Sequence, residues 1–280
     1  MINFNGELVE KPEISPYNRA LLYGDGLFET IRYSAGKLNF WEDHYFRLMA
    51  SMRILRMEIP MEFTPEYLQQ QLLETIAANN LEKSAARVRL TVFRSPGGTY
   101  LPTDNKVGYF AFAKALKTPF FTLGADDYEV DIYKDHYLNA DLLTTLKTTS
   151  KLINITGSIY AKENNLENCL LVNNNKMVVE ALNGNLFLVK GKHIKTPPLD
   201  SGCLRGIIRK QLLDMLKTLD GFTVEEAVIS PFELQKADEL FITNAIVGIQ
   251  PISKYRKKAY GNEVAKELLG KLNAMIRLGS

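Results

Sequence analysis

Three stretches of this chain hold residue types that suit one chemistry. Asp141-Leu-Leu-Thr-Thr-Leu-Lys-Thr-Thr-Ser150 places Lys147 among small hydroxyl residues. Val178-Val-Glu-Ala-Leu-Asn-Gly-Asn-Leu-Phe187 places Glu180 at the end of an apolar run. Thr196-Pro-Pro-Leu-Asp-Ser-Gly-Cys-Leu-Arg-Gly-Ile-Ile-Arg209 reads as a turn leading into a helix. A lysine can form a Schiff base, a carboxylate can hold a protonated pyridine nitrogen, and a helix N-terminus can bind phosphate. These are the parts that a pyridoxal phosphate site requires. Composition alone does not single out Lys147 among the chain's lysines.

The elements that would position these groups follow from periodicity and turn chemistry. Residues 2–10 read as a hairpin turning at Asn5-Gly6. Leu27-Phe-Glu-Thr-Ile-Arg-Tyr33 reads as a strand returning through Ala35-Gly36, with Phe28, Thr30 and Arg32 on one face and Leu27, Glu29, Ile31 and Tyr33 on the other. Taken alone, it suits an edge strand with a solvated face. Residues 41–56 carry a helical stripe of Tyr45, Leu48, Met49, Met52 and Leu55, with Arg47 expected at the surface. A second helix spans 64–80, capped by Thr64 with Pro65 in its first turn. Strands are expected over 86–93 and 108–113, around a Gly/Pro loop at 95–102 long enough to act as a lid or reach a partner. The pattern pauses near Leu116-Lys-Thr-Pro119, which sets expected domains of 1–117 and 118–280. The second holds a strand at 129–133, a helix at 151–165 and strands at 169–173, 176–181 and 185–190. It continues with a helix at 205–219, strands at 222–228, 239–243 and 249–253, and a terminal helix from Asn262. Strands and helices mix without strict alternation, so the fold class is α+β.

Bulk properties exclude several function classes. A chain of 280 residues that is 46% hydrophobic and 24% charged has the balance of a globular protein. Its net charge of +2 supplies no field for nucleic acid or an anionic membrane. No apolar run is long enough to span a bilayer, and the N-terminus is unlike a signal peptide. Cys169 and Cys203 make no disulfide framework, and Cys203 reads as a small buried residue. No metal-ligand spacing is present. The expected location is the cytoplasm.

The sequence resembles the class IV aminotransferases, pyridoxal phosphate enzymes of fold type IV. That family includes branched-chain aminotransferases, D-amino acid aminotransferases and aminodeoxychorismate lyases. The likeness covers nearly the whole chain. It rests on Tyr23-Gly-Asp-Gly-Leu-Phe-Glu-Thr-Ile-Arg32, Glu42-Asp-His-Tyr-Phe-Arg-Leu48, Leu146-Lys147, Val179-Glu180 with Asn185-Leu-Phe187, Leu204-Arg-Gly-Ile-Ile-Arg209 and Thr243-Asn-Ala-Ile246. The resemblance implies a two-domain α+β fold like that of D-amino acid aminotransferase, and pyridoxal 5'-phosphate as cofactor. It implies that Lys147 tethers the cofactor and shuttles the proton, and that Glu180 partners the ring nitrogen. It assigns phosphate to Arg47, to the start of the helix at Gly206, Ile207 and Ile208, and to the turn at Asn244 and Ala245. Phe28, Arg32, Arg89, Arg94, Tyr100, Ala245 and Ile246 are the implied substrate contacts, and Thr30 is an implied proton-transfer residue.

Departures from the family pattern bear on the reaction. Ile208 stands where many relatives have threonine, which removes one hydroxyl from the phosphate site. Leu152 stands where branched-chain enzymes usually have tyrosine, as in the D-amino acid and lyase branches, and Thr30 stands where they tend to have glycine, which looks like the lyase branch. Against the lyase, Gly97-Gly-Thr-Tyr100 lacks the arginine its loop usually carries. The D-amino acid enzymes' arginine–histidine pair is also missing from this loop. The leading expectation is transfer of an amino group from a small amino acid, branched-chain ones included, to a 2-oxo acid. The alternative is cleavage of aminodeoxychorismate to p-aminobenzoate and pyruvate, a step of folate biosynthesis. A third reading is a non-catalytic protein that binds the cofactor or phosphate. The family's sites are completed by a second subunit's loop, so a homodimer is expected, with residues 95–102 crossing.

Overall fold

The computed structural model describes residues 1–124 and 126–278; Ala125, Gly279 and Ser280, all in the expected C-terminal domain, lie outside the described residues. The chain divides into two compact units, one of residues 1–120 with 147–150, the other of 121–146 with 151–280.

The first unit is a six-stranded sheet with helices. Its strands are β1 (Ile2–Phe4), β2 (Glu7–Val9), β3 (Gly26–Ser34), β4 (Lys37–Leu38), β5 (Ala86–Arg94) and β6 (Val107–Ala115), in the order β2-β1-β6-β5-β3-β4. Two hairpins turn where positive φ is expected, at Asn5 (54°) and Gly6 (91°), and at Ala35 (50°) and Gly36 (80°). A short helix, α1 (Arg19–Tyr23), precedes β3 and is capped by the Asn18 side chain. Helix α2 covers Trp41–Ile54, and α3 covers Pro65–Ala77 with Thr64 as its cap. Helix α2 packs on β3, and α3 on β5 and β6. Leu27, Ile31, Val88, Leu90 and Val92 face this layer and are fully buried, with Leu48, Met52, Leu68, Leu72 and Ile76 from the helices.

The solvated-edge reading of β3 is corrected. This strand pairs with β5 along eight residues and with β4 at its far end, and only Phe28 in it is less than buried. Residues 147–150 add a further pairing. Phe28 N donates to Lys147 O (2.9 Å) and Thr149 N to Gly26 O (2.9 Å), with Leu27 and Thr148 bridged antiparallel.

The second unit begins with β7 (Glu129–Ile132) and α4 (Leu152–Glu163). Strands β8 (Asn168–Val172), β9 (Val178–Ala181), β10 (Gly184–Lys190) and β11 (His193–Thr196) follow, then α5 (Ile207–Thr218), β12 (Thr223–Glu226) and α6 (Pro231–Lys236). It ends with β13 (Glu239–Asn244), β14 (Gly248–Ile252), β15 (Lys254–Tyr255), β16 (Lys258–Ala259) and α7 (Glu263–Leu278). The strands form a mixed ten-stranded sheet in which β10 pairs with β9, β11 and β13. Val130, Leu170, Val178, Leu186, Leu240 and Ile252 are fully buried in one core cluster. No helix among the described residues is long and apolar enough to cross a membrane.

Candidate active site

Alternation along β3 sorts the first unit's candidates. Phe28, Thr30 and Arg32 lie opposite Thr91, Arg89 and Arg87 of β5, which lie opposite Phe110, Phe112 and Lys114 of β6. One sheet face therefore carries aromatic rings and cations together. The backbone bond from Phe28 to Lys147 brings the lysine to this group, and Lys147 Nζ lies 4.6 Å from the Phe28 ring centre. Arg89 stacks on the same ring, its Cζ 3.8 Å from the centroid, and its Nε donates to Thr91 Oγ1 (3.2 Å). Burial, then the neighbouring Arg87, lowers the Arg89 pKa. Lys147, Phe28, Thr30 and Arg89 are thus brought together by strand register.

Two other expected substrate arginines are placed differently. Arg32 shares the face, but its Nη2 donates to the Thr118 carbonyl and to Phe120 O (3.0 Å), where the chain leaves the unit. Arg94 falls on the opposite face of β5 from Arg89, by strand parity. It donates to Asp25 (2.9 Å), Asn105 Oδ1 (2.6 Å), Leu55 O (2.7 Å) and Arg56 O (3.3 Å). Arg94 is a clasp at the base of the 95–102 loop, not a group on the Lys147 face. Tyr100, at the loop tip, projects into solvent.

The buried face of β3 holds a group to which the sequence pattern assigned no role. Glu29 is 2% exposed between Leu27 and Ile31. Its carboxylate accepts from Arg47 Nε (2.8 Å) and Nη2, and pairs with His44 Nδ1 (2.6 Å). Burial opposes ionisation of Glu29, but the Arg47 charge and the bonds from His44 and Arg47 outweigh it and hold its pKa at about 2. Burial lowers the His44 pKa against the pull of Glu29, so the imidazole is neutral at pH 7 and donates from Nδ1. Arg47 is therefore buried, contrary to its expected surface position. The legible signal was a lone carboxylate on an apolar strand face, answered by His44 and Arg47 three residues apart on one helix.

In the second unit, β9 presents Glu180. Its Oε2 accepts from Leu204 N (2.9 Å) and from Asn185 Nδ2 (3.5 Å), and Asn185 Nδ2 also donates to Leu204 O (2.8 Å). Asn185 thus ties Glu180 to the turn before α5, a role that its motif position alone does not disclose. Burial lowers the Lys151 pKa, and the Glu180 charge counteracts it. Helix α5 starts at Ile207 and Ile208 with Gly206 as its N-cap and no capping side chain. The Gly206 backbone is ordinary extended (φ −71°), so space requires this glycine: a Cβ would fall 1.9 Å from Asn185 Oδ1. Gly206→Ala is expected to displace Asn185, lower stability by about 1–3 kcal/mol and weaken retention of pyridoxal phosphate. Thermal melts and a cofactor titration by absorbance read both; wild-type values in each would show that the contact is relieved without effect.

The remaining turn is ordered by its own side chain. Asn244 Oδ1 accepts from Ile246 N and Val247 N, both at 3.0 Å, with Ala245 between them. Burial, then Glu180, pushes the Cys203 thiol up to about 12, and its Sγ faces the Pro197 and Pro198 carbonyls, so it is a packed, unreactive thiol.

These parts fit pyridoxal phosphate. A helix N-terminus without a side-chain cap suits its phosphate, a carboxylate fixed by two donors suits its ring nitrogen, and a lysine held by backbone pairing suits its aldehyde. Comparison with known proteins agrees. The sequence pattern described as amino-transferase class IV matches residues 26–255. A Methanocaldococcus jannaschii protein, named provisionally as a branched-chain-amino-acid aminotransferase, is 31% identical over 97% of this chain and 93% of its own length. The aminodeoxychorismate lyase of Bacillus subtilis is 26% identical over 94% of this chain and 89% of its own. Among solved structures, the branched-chain aminotransferase of Thermoproteus uzoniensis with norvaline superposes with a TM-score of 0.87 at 25% identity, covering 99% of this chain and 94% of that one. The chain belongs to the class IV aminotransferases, an α+β family that acts with pyridoxal 5'-phosphate.

Proposed function

We propose that this enzyme moves the amino group of a small apolar amino acid, branched-chain ones included, to a 2-oxo acid. The observation that carries the choice is the face of β3, β5 and β6. It offers Phe28, Phe110 and Phe112 with Arg89 as the cation in register with Thr30. The guanidinium of Arg89, stacked on the Phe28 ring, with the aromatic surface around it suits a small monocarboxylate. Aminodeoxychorismate carries two carboxylates, while Arg32 and Arg94 hold main-chain carbonyls, Asp25 and Asn105. Arg87 lies two residues further along β5 and is exposed, about 7 Å from Arg89 along the strand.

When bound, the cofactor supplies an electron sink for the pair left at the substrate α-carbon. Lys147 Nζ would tether it in the resting enzyme and, once displaced by the substrate amine, would be the free amine that takes the substrate α-proton. Glu180 keeps the ring nitrogen protonated, and Asn185 orients Glu180. Phosphate is assigned to Arg47, aligned by Glu29, in the first unit, and to the Ile207 and Ile208 amides and the Asn244-Ala245 turn in the second. Phe28, Arg89, Tyr100 and the Ala245-Ile246 backbone orient the substrate. The second reading, aminodeoxychorismate lyase, is favoured by Thr30, a buried hydroxyl residue directly opposite Arg89.

The enzyme works in the cytoplasm as a homodimer. Two buried free cysteines suit a reducing compartment. Leu152, Ile155 and Ile159 form an exposed apolar stripe on α4 that a second copy would cover. The test is turnover of an amino acid panel with 2-oxoglutarate beside aminodeoxychorismate, with the oligomer sized in parallel. Transfer from small apolar amino acids is expected at a kcat/KM at least about tenfold above the lyase reaction. Pyruvate release from aminodeoxychorismate with no transfer from the panel would overturn the assignment, and a 31.7 kDa species would remove the dimer.

A further inference from the structure

The loop joining β5 to β6 is gripped by two buried arginines that share one carboxylate. Asp25 Oδ2 accepts from Arg19 Nε and from Arg94 Nε, each at 2.9 Å. Arg94 holds the base of the loop through Asn105 Oδ1 (2.6 Å). Arg19, only 3% exposed, holds the tip: its Nη1 donates to Gly97 O (2.9 Å) and Thr99 O (2.6 Å), and its Nη2 to Tyr100 O (3.4 Å). The backbone there is folded tightly. Gly97 and Gly98 have φ of 126° and 73°, and a Cβ on Gly98 would fall 2.1 Å from Leu101 O. Gly98 and Pro102 are bridged antiparallel.

Against this fixed main chain, the tip's own side chains point outward. Tyr100 is 89% exposed and Leu101 is 82% exposed. The Tyr100 ring meets Tyr23 at 5.8 Å, and the Arg19 guanidinium lies 5.0 Å from the Tyr23 ring centre. A guanidinium removed from water needs every nearby acceptor to offset its desolvation. Here the acceptors are the Asp25 carboxylate and the main-chain carbonyls of Gly97, Thr99 and Tyr100, the last belonging to a residue whose side chain is displayed. Such an arrangement fixes where an aromatic side chain is presented without contacting that side chain, and so removes the entropy of ordering the loop when it meets a ligand.

We propose that Arg19, braced by Asp25, is a positioning residue that preorganises residues 97–101 so that Tyr100 and Leu101 contribute to substrate affinity. The proposal rests on the reading above that Tyr100 contacts substrate. Lysine in place of Arg19 keeps the charge but cannot fork to a carboxylate and three carbonyls. In Arg19→Lys, amide exchange at residues 97–101 is expected to quicken by about tenfold or more, while exchange in β3 and β5 is unchanged. KM for the amino donor is expected to rise at least about fivefold, with kcat within about twofold and cofactor retention as in the unsubstituted enzyme. Tyr100→Ala, which leaves the clasp whole, is expected to raise KM without quickening exchange. A purely structural Arg19 would quicken exchange and lower the melting temperature with KM unmoved, and that result overturns the proposal. So does unchanged exchange, or a fall in kcat together with cofactor loss. The exchange comparison needs no turnover, so an inactive unsubstituted enzyme would count against the transferase reading alone.

Discussion

Replacing Lys147 by alanine is expected to lower kcat by at least about 10⁴-fold with the fold intact. The main chain at this position is held by bonds that the substitution leaves in place. Phe28 N donates to Lys147 O, Thr149 N to Gly26 O, and Thr149 Oγ1 to Gly24 O, each at 2.9 Å. What is lost is the amine beside Phe28, and with it the proposed tether and base. An external amine can restore some proton transfer but not the geometry, because orientation is worth several orders of magnitude. The measurement pairs turnover with borohydride reduction and peptide mapping. Unsubstituted enzyme should carry its cofactor label on the peptide containing residue 147, and Lys147→Ala should carry none. Residual activity within tenfold, or a label elsewhere in the unsubstituted chain, would end the assignment.

The second large effect concerns stability. Glu29→Gln is expected to destabilise the protein by about 3–5 kcal/mol at pH 7, because Arg47 would keep its charge in a buried site while losing the Glu29 carboxylate. The same cluster fixes an acid limb, and its sign follows from the direction of the shift. Glu29 titrates at about 2 in the folded state against an ordinary 4.5. Its contribution is therefore complete above about pH 4.5 and is lost as pH falls toward 2, on the order of 3 kcal/mol in all. His44 acts in the same direction at higher pH. Its folded pKa is lowered, so below its ordinary 6.5 the unfolded chain takes up a proton that the folded chain resists. Urea midpoints from pH 7 to pH 3 should fall for the unsubstituted protein, with a clearly shallower slope between pH 4.5 and 3 in Glu29→Gln. Parallel slopes would mean that Glu29 is not held ionised by Arg47.

Local signals carried much of this architecture. Thr64 and Pro65 marked the start of α3, Asn5-Gly6 and Ala35-Gly36 marked tight hairpins, and alternation placed Phe28 and Thr30 on one face. Elements without such punctuation leave little local signal. Strand β11 follows a two-residue Gly191-Lys192 turn, which is not the Asn-Gly kind, and one of its two buried positions is the polar Thr196, which hides the alternation. Helices α1 and α6 are too short for a periodic stripe to show, although Asn18 caps one and Glu233 accepts from Ser230 N at the other. The arginines were the hardest to read. Arg32, Arg89 and Arg94 look alike in sequence, yet strand parity and non-local acceptors give each a different task. What an arginine does depends on which carbonyls the fold delivers to it, and those lie far away in the chain.

The pairing of Lys147 with β3 has a consequence for assembly. Residues 1–120 already contain all six strands of the first unit's sheet, whereas Lys147 joins them from beyond an excursion of residues 121–146. During synthesis the sheet can therefore form before the lysine proposed to carry the chemistry has left the ribosome. Closing that loop adds little entropy penalty for its length, but it makes chemical competence a late, non-local event, separate in time from the folding of the scaffold.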